Sequence, residues 1–499
     1  MIDSTAAVTA TFFVYLVLML LIGFWAYRRT SDSAGYFLGG RTLGPWPAAL
    51  SAGASDMSGW LLLGLPGFAF LSGLESLWLA GGLLAGTYLN WLLVAKRLRT
   101  YSVEANDSLT IPEFFANRFE DRAHLLQVVA AFFVLLFFLF YTSAGLVAAG
   151  KLFETVFGLN YMIAVVVGTL FIVSYTLFGG FLAVSWTDLV QGLLMAAALI
   201  IVPIFAIQTD GGVGTMLAAL ENKNPDLLTL FSDNAGKPLG VIAIVSLVAW
   251  GLGYFGQPHI LARFKGIRSN ADVPHARRIA VTWTGLSMAG AVLVGLAGFA
   301  YVQANLGGEI DDAETIFMIL VNALFHPVIA GVLLAAILAA IMSTADSQLL
   351  VSSSALAEDF YRQLFRKDAN RKEIMLVGRI AVVVLAVVAM LLAANPDSTV
   401  LGLVSYAWAG FGAAFGPVLV LSLYWKRMNW TGAVAGVLTG GIVVVLWKQL
   451  EGGPFGLFGL YEIVPGVVLA TAAVIIASLM TAPPSAAVRA GFERFEAKL

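Results

Sequence analysis

Residues 51–60 read Ser-Ala-Gly-Ala-Ser-Asp-Met-Ser-Gly-Trp, and they interrupt an otherwise apolar segment that runs from 44 to 72. Small and hydroxyl-bearing residues surround an acid, Asp56, inside a stretch that is long enough to cross a bilayer. An acidic side chain at that depth is costly to bury, so it marks a candidate functional position. Glycine and serine also weaken a helix. We therefore predict a membrane-spanning helix that is broken close to Asp56.

The composition of the whole chain is that of a membrane protein. Of its 499 residues, 60% are hydrophobic and 12% are charged, whereas charged residues make up about 25% of soluble domains. The absence of cysteine excludes disulfides, and a net charge of -2 gives no reason to expect a nucleic-acid partner. No Walker A, G-x-S-x-G or H-E-x-x-H motif occurs. We predict an all-α polytopic protein that is embedded in lipid, catalyses no reaction and uses no organic cofactor.

Hydropathy predicts about 13 transmembrane helices, because each apolar segment reaches the roughly 20 residues that a bilayer requires. The predicted spans are 6–27, 44–72, 74–97, 123–150, 158–178, 182–207, 238–258, 276–303, 327–360, 373–394, 398–424, 430–449 and 460–481. We treat 1–499 as a single transmembrane domain that ends in a cytoplasmic tail, 482–499.

The distribution of basic residues predicts the orientation. With thirteen alternating spans, one side of the membrane receives only four of the 28 lysines and arginines, namely Lys151, Lys223, Lys237 and Lys448. The other side receives the remaining 24. Cytoplasmic loops are the ones enriched in these residues. We therefore expect the N-terminus outside the cell and the C-terminus in the cytoplasm.

Residues 250–258, Trp-Gly-Leu-Gly-Tyr-Phe-Gly-Gln-Pro, predict a second broken helix, in the seventh span. Main chain freed in this way is tolerated in a membrane only where it lines a cavity or binds something. Close helix packing is the alternative explanation for these glycines. The two broken spans lie five spans apart, which predicts two five-helix units of opposite orientation, 44–207 and 238–424. One extra span, 6–27, then precedes this core, and two more, within 430–481, follow it.

The ninth span carries residues at the spacing of one helical face: Ala340, Ser343, Thr344 and Ser347. Hydroxyl oxygens on adjacent turns, completed by main-chain carbonyls of the broken second span around Ala54 and Met57, suit a hard cation such as Na⁺. The alternative is that each hydroxyl only bonds to the carbonyl one turn earlier in its own helix. The opposed broken helix favours the ion site.

Three acids lie inside predicted spans: Asp56, Asp188 and Asp346. We expect no lysine or arginine at comparable depth, so these acids are candidates for binding a monovalent cation or a proton. Asp188 and Asp346 lie at similar depth near the cytoplasmic side, which predicts a second cation site with Ser343 and Ser347. Asp188 could instead hydrogen-bond to hydroxyls and fix helix packing.

Trp250, Tyr254 and Pro258 recur every four residues, so they form one stripe along the seventh span. Such a stripe is usually core packing. Beside a broken helix it could also line a pocket for a small apolar ring, to which Tyr141 of the fourth span could add a hydroxyl. We expect no arginine deep enough to bind a solute carboxylate, so the N-termini of half-helices would take that role.

Two segments resemble motifs of the sodium/solute symporter family. They are Gly179-Gly-Phe-Leu-Ala-Val-Ser-Trp-Thr-Asp188-Leu-Val-Gln191 and Met342-Ser-Thr-Ala-Asp-Ser-Gln-Leu-Leu350. Within that family, 51–62, 250–264 and 401–417 are similar to the bacterial proline transporters. The resemblance extends from about residue 10 to 485. It implies a leucine-transporter-like core, with a 5+5 inverted repeat, that imports L-proline with Na⁺ as coupling ion across the bacterial inner membrane.

The resemblance also implies roles for individual residues. The sodium site would comprise Ala54, Met57, Ala340, Ser343 and Thr344, with Asp56 linked to sodium-dependent binding. The solute pocket would comprise Ser58, Trp60, Gly64, Tyr141, Trp250, Tyr254 and Pro258. Glu314, in the loop before the ninth span, would belong to an external gate. The Asp346-Ser347 pair departs from the pattern of the proline transporters, which leaves the number of coupled ions open.

Other functions stay open at this point. A sodium symporter of pantothenate or of another amino acid would have the same architecture. An uncoupled facilitator or a channel could also use broken helices, since these line pores as well. Dependence of solute flux on a Na⁺ gradient separates these classes.

Overall fold

The computed structural model describes residues 4–27, 39–176, 181–450 and 452–499. Most of the residues in these ranges are helical, and their only β-pairing is two isolated bridges, Leu43 with Ile267 and Ser232 with Pro238. The predicted all-α class is thus confirmed. The glycine pair that opens the 179–191 segment lies outside the described residues.

The first part of the chain forms long helices joined by short turns. They are α1 (Ser4–Tyr27), α2 (Pro45–Asp56), α3 (Leu65–Ser72), α4 (Ser76–Asn90), α5 (Lys96–Glu104), α6 (Ile111–Phe119), α7 (Leu125–Phe157), α8 (Tyr161–Thr176), α9 (Phe181–Thr209) and α10 (Val213–Lys223). A π-helical turn, Trp60–Gly64, leads into α3, and a second one, Trp91–Ala95, joins α4 to α5.

The second part of the chain also contains both long and interrupted helices. It comprises α11 (Val241–Val248), α12 (Pro258–Gly266), α13 (Val273–Asn305), α14 (Ile316–Leu324), α15 (Pro327–Ser354), α16 (Arg371–Leu392), α17 (Val400–Tyr424), α18 (Trp430–Trp447), α19 (Ile463–Met480) and α20 (Ala486–Glu496). A 3-10 segment, Ala249–Gly256, follows α11, and α15 continues as a π-helix over Ala355–Phe365.

By length and composition, ten helical stretches of the described residues could cross a membrane, or eleven if the bent pair around Gln257 is one span. The difference from thirteen has two sources. One stretch, Trp60–Glu104, contains both the second half of predicted span two and all of predicted span three. Predicted span five corresponds to a shorter apolar helix, α8. A polytopic helical protein is confirmed, whereas the number thirteen stays a prediction.

The second span is broken where the sequence predicts. Helix α2 ends at Asp56, and Met57 then takes a non-helical conformation with φ -84° and ψ 75°. The chain returns to helical geometry at Gly59 and enters the π-turn at Trp60. The break therefore falls within three residues of an acid that is buried to 99%.

The seventh span is also broken, but it is longer than predicted. Gln257 is extended, and α12 continues beyond it at an angle of 48° to the preceding helix. The prediction that this span ends at Pro258 is wrong, because Pro258 occupies the first turn of α12, where its missing N–H breaks no helical hydrogen bond. Residues up to Gly266 are consequently buried, including Arg263 and Lys265.

Helices near the centre of the molecule are buried on nearly all sides. In α15, 83% of the apolar stretch is buried, against 28% in α1 and 33% in α16. The peripheral helix α16 exposes large apolar residues such as Ile380, Val384 and Leu391, as expected for a helix that faces lipid. The predicted sodium residues and Asp56 lie among these buried central elements.

Candidate ion and solute site

Hydroxyls of α15 meet the last turn of α2. Ser343 Oγ lies 2.8 Å from the carbonyl oxygen of Ala54, and Thr344 Oγ1 lies 3.3 Å from the same oxygen. Ser343 Oγ also donates to the carbonyl of Ala340 at 3.2 Å, so the contact within its own helix exists beside the one between helices. Hard oxygen atoms of four predicted sodium residues thus lie close together, namely those of Ala54, Ala340, Ser343 and Thr344. The fifth residue, Met57, is buried at the adjacent break.

Asp56 is the centre of a second cluster. Its Oδ2 accepts a hydrogen bond from the Tyr254 hydroxyl at 2.7 Å. Its carbonyl, which the break leaves without a helical partner, accepts from the Tyr141 hydroxyl at 2.7 Å and from the Trp60 indole at 3.2 Å. Ser58 Oγ lies 3.4 Å from the Trp60 main-chain nitrogen. The predicted pocket residues Ser58, Trp60, Tyr141 and Tyr254 are therefore brought together around Asp56.

Trp250 joins this cluster through an aromatic chain. Its indole stacks on Tyr461 with ring centres 5.4 Å apart, and its carbonyl accepts from the Trp408 indole at 2.6 Å. Trp408 in turn meets the edge of Tyr254 at 4.9 Å. Trp408 lies in the 401–417 segment, where the sequence alone gives no sign of this role. The sequence feature that reflects this contact is Gly253, because a side chain at that position would collide with the Trp408 indole.

Two predicted pocket residues remain: Gly64, which lies one turn beyond Trp60 and close to its side chain, and Pro258. Gly64, at the end of the π-turn, packs against Leu401 so closely that a β-carbon would come within 3.1 Å of the Leu401 side chain. Pro258 lines a different cavity of about 30 Å³ between α6, α12 and the end of α15. Their assignment to the solute pocket stays a prediction.

Asp188, one of the two acids predicted to lie near the cytoplasmic side, has a buried arginine as its partner. Arg263 Nη2 lies 3.2 Å from Asp188 Oδ2 and also contacts Ser347 Oγ, while Arg263 Nε donates to Ser51 Oγ at 2.9 Å. Ser347 Oγ lies 3.3 Å from Asp346 Oδ1. The prediction that no arginine reaches this depth is therefore wrong, because the unexpected continuation of span seven carries Arg263 inward. The structure does place Asp188, Asp346 and Ser347 together: the Ser347 hydroxyl connects the Asp346 carboxyl to the Arg263 guanidinium that pairs with Asp188.

Glu314 ties three elements together at the other end of α7. Its carboxylate accepts from Lys151 Nζ at 2.6 Å and from the main-chain nitrogens of Val400 and Leu401 at 3.0 and 3.1 Å. Lys151 also pairs with Asp312 at 2.6 Å. A carboxylate at the N-terminus of α17 is favourable for the helix dipole. Its role as a gate stays a prediction.

Comparison with known proteins identifies the family. The sequence model of the sodium:solute symporter family matches residues 36–440. This chain belongs to the sodium:solute symporter family. It is 50% identical to the sodium/proline symporter of Escherichia coli K12, over 98% of this chain and 96% of that protein. It is 51% identical to the high-affinity proline transporter PutP of Bacillus subtilis, over 96% and 99% of the two chains.

Solved structures support the fold. A substrate-bound, outward-open Na⁺-coupled sialic acid symporter matches with a TM-score of 0.79 and 22% identity, over 97% of this chain and 100% of that one. Mhp1, a nucleobase-cation-symport-1 family transporter in a closed conformation, matches with a TM-score of 0.54 and 16% identity, over 93% and 100%. The family is one of transporters coupled to sodium, so Na⁺ fits as the coupling ion and no enzymatic activity is implied.

Proposed function

We propose that this protein imports L-proline together with Na⁺ by alternating access. The observation that carries the proposal is the break in span two, where a three-residue stretch of main chain serves both clusters. The Ala54 carbonyl contacts the hydroxyls of Ser343 and Thr344, and Asp56 contacts Tyr254 and Tyr141. The names of relatives that are about half identical over nearly the whole chain support proline as the solute.

Na⁺ is proposed to bind between α2 and α15. Its ligands are the carbonyls of Ala54, Met57 and Ala340 and the hydroxyls of Ser343 and Thr344, all of them hard oxygen donors. An ion in this position holds the broken span two against α15. That fixes Trp60 and Asp56 in the arrangement that receives the solute, so Na⁺ raises solute affinity and the solute raises Na⁺ affinity by the same factor.

L-Proline is proposed to bind at the Asp56 cluster. Its ring packs on Trp250 and Tyr254, which the aromatic chain through Trp408 holds in place. Its carboxylate meets the N-termini of the half-helices that begin at Trp60 and at Pro258, since Arg263 is paired with Asp188. Ser58, Trp60, Gly64, Tyr141 and Pro258 complete the pocket in this proposal.

Transport then requires the two five-helix units to rock about the site. Glu314, with Lys151, closes the outer side, and Asp188, Asp346 and Ser347 provide a second place for a cation or a proton on the way inward. The N-terminus lies outside a bacterial inner membrane and the C-terminus lies in the cytoplasm.

Equilibrium binding of tritiated L-proline to the purified protein tests the solute assignment. We expect saturable binding in Na⁺ that is lost when choline replaces Na⁺, and competition by unlabelled L-proline but not by pantothenate. Trp250→Ala should weaken proline binding more than it raises the Na⁺ requirement. Binding that pantothenate or another amino acid displaces better than proline would reassign the solute and keep the fold.

A further inference from the structure

The final helix, α20, is amphipathic and lies on the predicted cytoplasmic side. Val488, Phe492 and Phe495 follow the spacing of one helical face, and all three side chains are at most 8% exposed. Between them the helix carries exposed charged residues, among them Glu493 and Arg494. A helix of 11 residues is marginal in water on its own. Tertiary contacts of the apolar face therefore hold α20 in place.

The apolar face of α20 packs on α5 and α6. Phe495 stacks on Tyr101 of α5, with ring centres 4.2 Å apart and ring planes inclined by 5°. Phe492 meets the edge of the same tyrosine ring at 6.0 Å. The buried guanidinium of Arg118, in α6, lies 5.2 Å from the ring centre of Tyr101 and 5.3 Å from that of Phe492. The tail is thus packed on the link between predicted spans three and four.

Ion pairs hold the charged side of α20. Glu104, the last residue of α5, pairs with Arg494 and, at 2.6 Å, with Lys498. Glu493 pairs with Lys426 in the turn between α17 and α18. The tail therefore contacts two parts of the chain that are distant in sequence, namely the end of α5 and the turn that follows α17.

These two parts belong to different five-helix units of the proposed mechanism. Helix α5 continues the third span, in the first unit, and α17 is the eleventh span, in the second unit. Their ends also meet directly, because Arg97 donates to the Leu423 carbonyl at 2.9 Å and its guanidinium lies 4.0 Å from the Tyr424 ring centre. The Phe495 ring of α20 lies 5.8 Å from the same guanidinium. Helix α20 therefore spans the junction of the two units.

We propose that α20 is a strap that joins the ends of the two units and slows their separation when the protein opens toward the cytoplasm. The inference rests on the proposed rocking of these units. The residues of the proposed sodium and solute sites lie in other helices. The strap should therefore limit the rate of transport without changing the affinity for proline or Na⁺.

The two kinds of contact made by the strap respond differently to salt. The side chains of Lys426, Arg494 and Lys498 are between 44% and 60% exposed. Ion pairs of exposed side chains weaken as the ionic strength rises, whereas the apolar stack of Phe495 on Tyr101 is not screened. We therefore expect high salt on the cytoplasmic side to loosen the strap.

Pulsed electron paramagnetic resonance on the full-length protein measures whether the strap is docked. Because the chain has no cysteine, spin labels attach only at Val103→Cys on α5 and Ala487→Cys on α20, both of which are exposed positions. At fixed Na⁺ we expect one narrow distance at about 0.1 M KCl and a broad distribution at about 1 M. Phe495→Ala should give the broad distribution at both concentrations.

Initial rates of Na⁺-driven proline uptake into proteoliposomes test the effect of the strap on transport. Glu104→Gln removes the partner of both Arg494 and Lys498, so it should raise the maximal rate by roughly threefold, with an unchanged equilibrium affinity for proline. Phe495→Ala should raise the rate as well. Glu358→Gln is the matched control and should leave the rate unchanged, because Glu358 pairs with Arg362 of its own helix on the same predicted side.

The outcomes separate this inference from the proposed function. A broad distance distribution in the wild type at low salt would overturn the strap and leave sodium-coupled uptake intact, as would an unchanged maximal rate in both Glu104→Gln and Phe495→Ala. A rate that falls together with thermal stability would also overturn it, because α20 would then only stabilise the fold. Absence of Na⁺-dependent proline uptake in the wild type would contradict the proposed function itself.

Discussion

The hydroxyls of Ser343 and Thr344 share one acceptor, the Ala54 carbonyl, and so connect α15 to the broken end of α2. A sodium ion placed there would use the same oxygens. In the proposed mechanism, this pair of side chains supplies two of the sodium ligands.

Ser343→Ala should raise the Na⁺ concentration for half-maximal proline uptake by roughly tenfold, since one lost oxygen ligand costs about 1–2 kcal/mol and 1.4 kcal/mol is a factor of ten. Initial uptake rates over a range of Na⁺ concentrations measure this. Ser353→Ala is the control on the same helix, because the Ser353 hydroxyl bonds only to the Leu350 carbonyl. An unchanged Na⁺ requirement in Ser343→Ala and Thr344→Ala would refute the assignment.

Arg263→Met should destabilise the protein by about 3–5 kcal/mol, because it leaves the Asp188 carboxylate buried without its counter-ion. Thermal unfolding in detergent checks this prediction. The double variant Arg263→Met/Asp188→Asn should recover most of the loss. Arg268→Gln, which removes an exposed pair with Asp272, should change stability by less than about 1 kcal/mol. Equal losses in Arg263→Met and Arg268→Gln would show that the buried pair has no special weight.

At the scale of elements, both broken spans could be predicted from the sequence, because glycine, serine and proline weaken helices whatever surrounds them. The extent of span seven could not. Residues 259–266 include Arg263 and Lys265, which no apolar stretch would contain, and the partner that makes Arg263 acceptable, Asp188, lies 75 residues away.

Contacts between residues that are distant in the sequence also explain why part of the candidate site could not be predicted. Trp408 is an ordinary residue of an apolar helix when taken alone. It becomes a candidate only through the residues that pack against it, Tyr254 and Gly253. Spacing along one helix predicted that Ser343 and Thr344 share one face, and both hydroxyls contact the Ala54 carbonyl at the break in span two. That they bind Na⁺ stays a prediction.

Gly86→Ala should disrupt the contact between α4 and the 3-10 segment of span seven. A β-carbon at Gly86 would collide with the main chain of Gly251, whereas one at Gly81 would meet nothing within 4 Å. Overpacking of this kind typically costs about 1–3 kcal/mol, and here it also displaces Trp250 and Tyr254. We expect lower thermal stability and lower proline uptake in Gly86→Ala.

Gly81→Ala is the matched control on the same helix and should be neutral or slightly stabilising, since alanine is the better helix former. If Gly86→Ala transports as well as Gly81→Ala, the close approach of α4 to span seven has no functional weight.

For the whole molecule, the distribution of lysine and arginine predicts the orientation in the membrane, and the absence of cysteine makes this simple to test. Ala235→Cys, in an exposed loop on the predicted outer side, should react with a membrane-impermeant maleimide in intact cells. Asp368→Cys, exposed on the predicted inner side, should react only after permeabilisation. The reverse pattern would invert the topology.

The central claim concerns the coupling of two fluxes, which the uptake of radiolabelled L-proline into proteoliposomes measures directly. With an inward Na⁺ gradient, we expect proline to accumulate transiently above its equilibrium level. Accumulation should vanish when choline replaces Na⁺ or when an ionophore collapses the gradient. Equal proline uptake in Na⁺ and in choline, from protein verified to be folded, would contradict sodium-coupled symport and indicate a facilitator.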